Sequence, residues 1–460
     1  MRLLLNGTLL LCLIFILSST KATTIIVPID YPAIQLAIDQ SVSGDTVLVE
    51  PGTYYENINF RGKNIKLGSE FMLTNDTAYI RSTVIDGSQS LNADTGSCVI
   101  FNSGEDSTAA LIGFTITNGT GTLWTDIHGA GIYREGGGIL IELSSPTIMN
   151  NLIIFNQATD TIGGISSGGG GIRMGDSNPI IRNNIIGFNR GKYGAGLVMN
   201  YCGGIIRNNV ITTNTGGQQF YGGSGIWILG DLGANPKIIE NNTIVNNGAA
   251  TGIGAGGIVS QSATNVFIRN CIVYDNSPST QIKKIGGTIS VTYCDVQSNY
   301  AGNGNFVAPP LLRNDNYLLD AASPCIDAGD SSSIYNDIEM QGNPGFAEFP
   351  CLGTIRNDVG AYGGQWSQLL ASYETITSVE SSPIWSQDLF YYSSAEACIR
   401  FTGTMAKSIQ IYDLQARLIY SIKHFGHADS LSSKELNTPI ILIRWIDEMG
   451  QNYSRKLAIR

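Results

Sequence analysis

The sequence predicts an all-β chain: a right-handed parallel β-helix solenoid with an N-terminal cap, followed by a small C-terminal antiparallel β-sandwich. Three observations predict it. A motif of the form apolar-x-x-Asn-x-apolar-x-x-Asn returns along the middle of the chain. A glycine-led apolar segment precedes most copies, and both patterns stop after Gly364.

The chain opens with Arg2, an apolar run from Leu9 to Leu17, and small or polar residues ending at Ala22. A run this short reads as a secretory signal over 1–22 rather than a membrane anchor. No later segment carries the about 18 uninterrupted apolar residues of a spanning helix. The expected location is therefore secreted or attached to the outer cell surface, with no transmembrane helix in the mature chain.

Next comes the cap. Ile34, Ala37 and Ile38 follow Pro32 at helical spacing, and "DTVLVEPGTY" reads as strand and turn. A short amphipathic helix there covers the open end of a solenoid and blocks edge pairing.

The repeat fits Ile148, Asn151, Ile153, Asn156; Ile181, Asn184, Ile186, Asn189; Ile206, Asn209, Ile211, Asn214; and Ile239, Asn242, Ile244, Asn247. Degenerate copies put Cys271 and Cys294 in the first Asn place and Phe114 in an earlier one. The anchors at 114, 151, 184, 209, 242, 271 and 294 are 37, 33, 25, 33, 29 and 23 residues apart. A fixed coil carrying loops of variable length produces such intervals, and units of this size bury their apolar face only by stacking. The apolar residues are β-branched and interrupted by Gly or Asn every few positions, so short strands fit and helices do not. Asn tolerates left-handed backbone at a turn. Stacked coil over coil, Asn amides also bond to one another, which makes them scaffold.

The segments "GGGILIE", "GGGGIRMGD", "GAGLVMN", "GSGIWILGD" and "GAGGIVSQ" supply a further strand per coil. The right-handed sense is what the family resemblance described next implies, in line with the general preference for right-handed crossovers. After Gly364 a linker over 365–376 leads to alternating strands such as "SIQIYDLQARLIYSIKH", so 23–364 is read as the β-helix and 377–460 as the sandwich.

Two resemblances become specific here. "IQLAIDQSVSGDTVLVEPGTYYENI", "TVIDG", "GFTITNG", "SPCIDAGD" and "DVGAYGG" resemble secreted bacterial right-handed parallel β-helix proteins of the pectate-lyase-like superfamily, across about residues 24 to 364. "IYDLQARLIY" and "DEMGQNYSRKLAIR" resemble the C-terminal sorting domain of type IX secretion cargo, with Ala416 where Gly is usual. The first resemblance implies a carbohydrate-related role and Ca²⁺ as a candidate cofactor. The second implies secretion machinery as a partner.

Charge and chemistry narrow the classes. A net charge of -10 with 14% charged residues excludes a nucleic-acid partner, which needs a basic face. Three His leave no His-rich zinc site, and the sparse Cys form no disulfide framework, although Cys271 and Cys294 on consecutive coils could bridge. "GTYYE" (52–56) resembles a pectin methylesterase motif, yet its partner motifs are missing, so Tyr54 and Glu56 read as end-coil structure. No "NTD", "DD" or "GHG" supports polygalacturonase-type hydrolysis. Carboxylates suited to Ca²⁺ are scattered: Glu142, Asp176 and Asp231, with Arg173 and Lys192 as candidate bases.

In the glycine-led strands, Leu140, Arg173, Val198, Trp227 and Val259 are expected to stack on one outward face. Arg173 and Trp227, flanked by Tyr193, Tyr201 and Tyr221, are the expected substrate-binding residues, because aromatic rings give flat apolar surface with a polar tip. His128 and "YREGGG" lie in a long insertion, where functional loops occur. Binding of polysaccharide or another surface ligand and lyase-type catalysis on an acidic glycan both remain open. The catalytic and metal residues are unassigned.

Overall fold

The computed structural model describes residues 22–371 apart from 130, 160–165, 217–221, 250–253 and 314–315, and, beyond 389, the strands named below. The chain divides into two units, Met1–Thr375 and Ile376–Arg460.

The first unit is a parallel β-helix. One coil runs through Ile139–Glu142, Thr147–Met149, Leu152–Ile154 and Gln157–Ala158. Repetition of these segments builds sheets of eight, ten, nine and four strands, in which neighbours pair in parallel and in register. Ile148, Ile153 and their counterparts Ile181, Ile186, Ile206, Ile211, Ile239 and Ile244 are fully buried in the central core.

The Asn columns form as the repeat predicts. At the corner between the ten- and nine-stranded sheets, Asn151 donates to Asn184 Oδ1 through its backbone N–H (3.0 Å) and side-chain amide (3.1 Å). Asn184 does the same to Asn209, and Asn209 to Asn242. The column continues through Cys271 and Cys294 to Asn305. A second column, Asn156, Asn189, Asn214, Asn247 and Asn276, marks the next corner.

The left-handed residue is not the column Asn but the one before it: Asn150, Asn183, Asn208, Asn241 and Asn270 have φ of 58, 55, 53, 49 and 51°. One residue bends the chain and the next carries the ladder. Cys271 and Cys294 are free buried thiols occupying ladder places, which corrects the expectation of a bridge.

The cap is helix Ile34–Gln40, with Ile34, Ala37 and Ile38 buried. Glu56 accepts from the backbone N–H groups of Ile34 and Gln35 (2.8 Å each), a direct structural role for the "GTYYE" segment.

The closing segment runs back along the first corner. The bending Asn side chains bond to it in reverse order: Asn241 donates to Asp358 O, Asn208 to Ala361 O and Gly363 O, Asn183 to Trp366 O, and Asn150 to Gln368 Oε1. Residues 317–361 also cover the nine-stranded sheet, where Tyr317 Oη lies 2.8 Å from Thr212 Oγ1 and Ala361 N–H donates to Thr243 Oγ1 at 3.0 Å. Leu152, Ile185, Val210 and Ile272 on that outer side are buried.

The second unit contains two antiparallel sheets. One joins Phe390–Ser393, Cys398–Phe401 and Ser430–Ser432; the other orders Leu418–Gly426, Met405–Tyr412, Ile440–Asp447 and Asn452–Ala458. Among the described residues no helix is long and apolar enough to cross a membrane.

Candidate functional site

The glycine-led strands form the eight-stranded sheet, and its register places Leu140, Arg173, Val198, Trp227 and Val259 in one outward column. The column is covered, however. Arg173, Trp227 and Tyr193 are only 1, 3 and 6% exposed, which corrects the expectation of a solvent-facing row. Tyr221 lies outside the described residues.

The cover comes in part from the insertion between the first coils. Gly121–Thr125 and Ile132–Glu135 pair antiparallel as a hairpin, and the second arm continues in parallel onto Ser166–Gly168. Cross-strand partners Trp124 and Tyr133 stack with ring centroids 5.7 Å apart at 26°. Beneath them the Arg173 guanidinium sits 3.8 Å from the centre of the Trp124 ring, a geometry in which cation and ring quadrupole attract.

Arg173 is the hub of a buried network. Its Nε donates to Glu135 Oε2 at 3.0 Å, one Nη pairs with Glu142, and the same Nη reaches Ile141 O at 3.2 Å. Gly175 makes room for this: a Cβ there would lie 2.2 to 2.3 Å from the guanidinium atoms. Trp124 Nε1 donates to Glu135 Oε2 at 3.2 Å, and the Tyr193 hydroxyl donates to Glu135 Oε1. Burial pushes the Glu135 carboxyl up, against the opposing pull of Arg173 and Tyr193. Tyr193 also leans on Trp227 (5.8 Å, 57°) within an apolar cluster of Val198, Ala255 and Val259.

The hairpin tip makes a second contact. His128 Nε2 is 2.9 Å from Asp176 Oδ1, and its ring lies 4.1 Å from that of Tyr201. Asp176 and Glu142 are thus near this hairpin, whereas Asp231 is held elsewhere by Lys237 (2.7 Å) and Thr264. Lys192 is half-buried, and its backbone N–H donates to Ser167 O. Among the described residues no three His, Cys, Asp or Glu converge as a metal-ligand group.

Tyr133 and Glu135 lie in the "YREGGG" stretch that the sequence singles out with His128, whereas Trp124 was missed. The signal that could have found it is the alternation on either side of "DIHGAG", a hairpin signature within the insertion.

No protein-family description matches the chain, and no curated protein matches it. Among solved structures, it is similar to a pectate lyase at 16% identity, over 72% of this chain and 91% of that one, with a TM-score of 0.30. It is also similar to a pectin methylesterase mutant in complex with a hexasaccharide, at 11% identity over 58% and 89%, with a TM-score of 0.28. Both likenesses are remote, and the description of the fold rests on the strand register.

Proposed function

We propose that this is an exported or surface-attached β-helix protein that binds polysaccharide, and that the hairpin pair Trp124 and Tyr133 forms the platform on which sugar rings stack. The observation that carries this reading is the anchoring of the pair. A half-buried aromatic pair is fixed from below by Arg173 and Glu135, so little freedom is lost when a flat apolar sugar face lands on it. Arg173, Tyr193 and Trp227 then act in binding by positioning the platform and its support. Export through the N-terminal segment, and handling of the C-terminal unit by secretion machinery, belong to the same reading.

Binding is favoured over catalysis by how Arg173 is used. Its guanidinium is spent on Glu135, Glu142 and Trp124, and Glu135 has no exposed surface. A general acid or base must reach its substrate proton. The second reading, a lyase or related carbohydrate-active enzyme on an acidic glycan with Ca²⁺ as cofactor, is motivated by the raised Glu135 carboxyl beside Arg173 and a tyrosine hydroxyl.

Retention on a panel of immobilised polysaccharides tests the first reading. Trp124→Ala should lower affinity about tenfold for any member the intact protein binds, the loss of one aromatic contact of about 1–1.5 kcal/mol. Unchanged retention would refute the platform. Ultraviolet absorbance from unsaturated sugars, formed on incubation with acidic polysaccharide and Ca²⁺, would establish the second reading instead.

A further inference from the structure

Beside the aromatic pair lies a set of buried acceptors whose hydrogen-bonding capacity is unmet. Glu142, Gly175 and Asn200 are register partners on three successive coils, with Asp176 and Ser177 directly after Gly175. Glu142 Oε1, Asp176 Oδ2, Asn200 Oδ1 and Ser177 Oγ are all buried and have no hydrogen-bond partner among the described residues. Asp176, Asn200 and Ser177 are each at least nine-tenths buried at the side chain or residue level. Unmet buried polar atoms are uncommon in native proteins, and a cluster of them calls for a missing donor. Glu142 is already paired with the buried Arg173, whereas Asp176 is paired with the half-exposed His128, so the exchangeable place is at Asp176 and a cationic donor fits it.

His128 shows what shape that donor takes. It brings a flat ring against Tyr201 and points a ring nitrogen at Asp176, at 4.1 and 2.9 Å, while its own side chain stays 39% exposed at the tip of the hairpin. An amino sugar meets the same two demands: its C–H face covers a tyrosine, and its ammonium bonds to a carboxylate. A uronate would instead bring its charge to Asp176, a repulsive arrangement.

We propose that the Asp176–Tyr201–Asn200 corner is a subsite for the protonated amine of an amino sugar, occupied in the unliganded protein by His128 as an internal stand-in. The inference rests on the platform reading above and names the substrate class of that site. On binding, the hairpin tip withdraws His128, the ammonium takes over Asp176, and the remaining acceptors receive the ligand's N–H and O–H groups. Trp124 and Tyr133 hold the neighbouring ring.

Titration calorimetry on the full chain tests this with three tetrasaccharides: glucosamine with free amines, fully N-acetylated glucosamine, and galacturonate. At pH 6 and low salt, the free-amine oligomer should bind about tenfold tighter than the acetylated one, the worth of one charge-assisted hydrogen bond. Asp176→Asn, folded by circular dichroism, should erase that preference, bringing the free-amine oligomer to the level of the acetylated one. His128→Gly should tighten free-amine binding severalfold by removing the competitor. Tyr201→Ala, which removes the ring proposed to lie under the amino sugar, gives a second route if Asp176→Asn does not fold, and should likewise reduce the free-amine preference. Equal or better binding of the acetylated or uronate oligomer, or a preference that survives in Asp176→Asn, would overturn the amine subsite while leaving the platform intact. Failure of all three oligomers to bind, together with Trp124→Ala behaving as the intact protein on polysaccharides, would overturn both.

Discussion

At the scale of single residues, stability is concentrated in amides rather than charges. An Asn inside a column accepts from the coil before it and donates both to the coil after it and to backbone carbonyls, as Asn209 does to Asn242 Oδ1, Ile181 O and Arg207 O. Asn209→Ala therefore strips Asn184 of its acceptor as well, and leaving several buried groups unmet should cost about 3 kcal/mol or more, read as a lower urea midpoint. Asn242→Cys should cost less, because the next two places in that column already carry thiols. A second residue-scale prediction concerns Asp337 and Asp358, which lie under the closing segment. Asp337 accepts from the backbone N–H groups of Asp358 and Gly364, and Asp358 from those of Asp327 and Leu352. Burial raises both carboxyls, Asp337 to about 8 with added repulsion from Asp358, and Asp358 to about 7. The folded state thus holds protons that the unfolded chain sheds near the ordinary value of 3.8. The stabilisation they give is full below that value and is lost as pH rises through the folded values. Hydrogen-exchange protection of residues 357–364 should accordingly fall between pH 5 and pH 9; protection that rose over that range would contradict this assignment.

At the scale of elements, the insertion hairpin is held by a buried ion network. Arg173→Met leaves Glu135 and Glu142 without their cation and should cost about 3–5 kcal/mol, with a shift in tryptophan emission as Trp124 loses its underlying guanidinium. Glu135→Gln, which keeps the shape and an acceptor for Trp124, should cost less. Calorimetry and fluorescence on the two variants check both. The coil strands were legible in the sequence because their cause is local and repeated: Ile flanking Asn at fixed spacing is the core pattern itself. The register of Arg173 with Val198 and Trp227 followed from the same repetition. What covers that column was not legible. Trp124 reaches Arg173 across 49 positions of chain and Tyr193 reaches Glu135 across 58, contacts that no short-range period encodes. The bending role of Asn150, Asn183 and Asn208 was hidden for a different reason, since two adjacent Asn share one motif and only coordinates separate the one that turns from the one that stacks.

At the scale of the whole first unit, the chain screens its own sheets. The nine-stranded sheet lies beneath the returning segment and the middle of the eight-stranded sheet beneath the hairpin, whereas the ten-stranded sheet keeps Ile180, Ile205 and Ile238 half-buried and Phe267 exposed. Deleting residues 357–371 should strand the amides of Asn150, Asn183, Asn208 and Asn241 and remove the Ala361 contact to Thr243 on the nine-stranded sheet. Loss of the intact protein's peak in size-exclusion chromatography, with rising light scattering, is the expected result. The two amide seams have a wider consequence. They hold the geometry of each turn constant while the intervals from Phe114 to Cys294 along the first seam range from 23 to 37 residues. Extra sequence is shunted into connections such as 118–138 and 159–171, leaving the strands above and below in register. The scaffold is therefore insulated from its own decorations, so that a recognition loop can be lengthened, exchanged or grafted at one coil without renegotiating the rest.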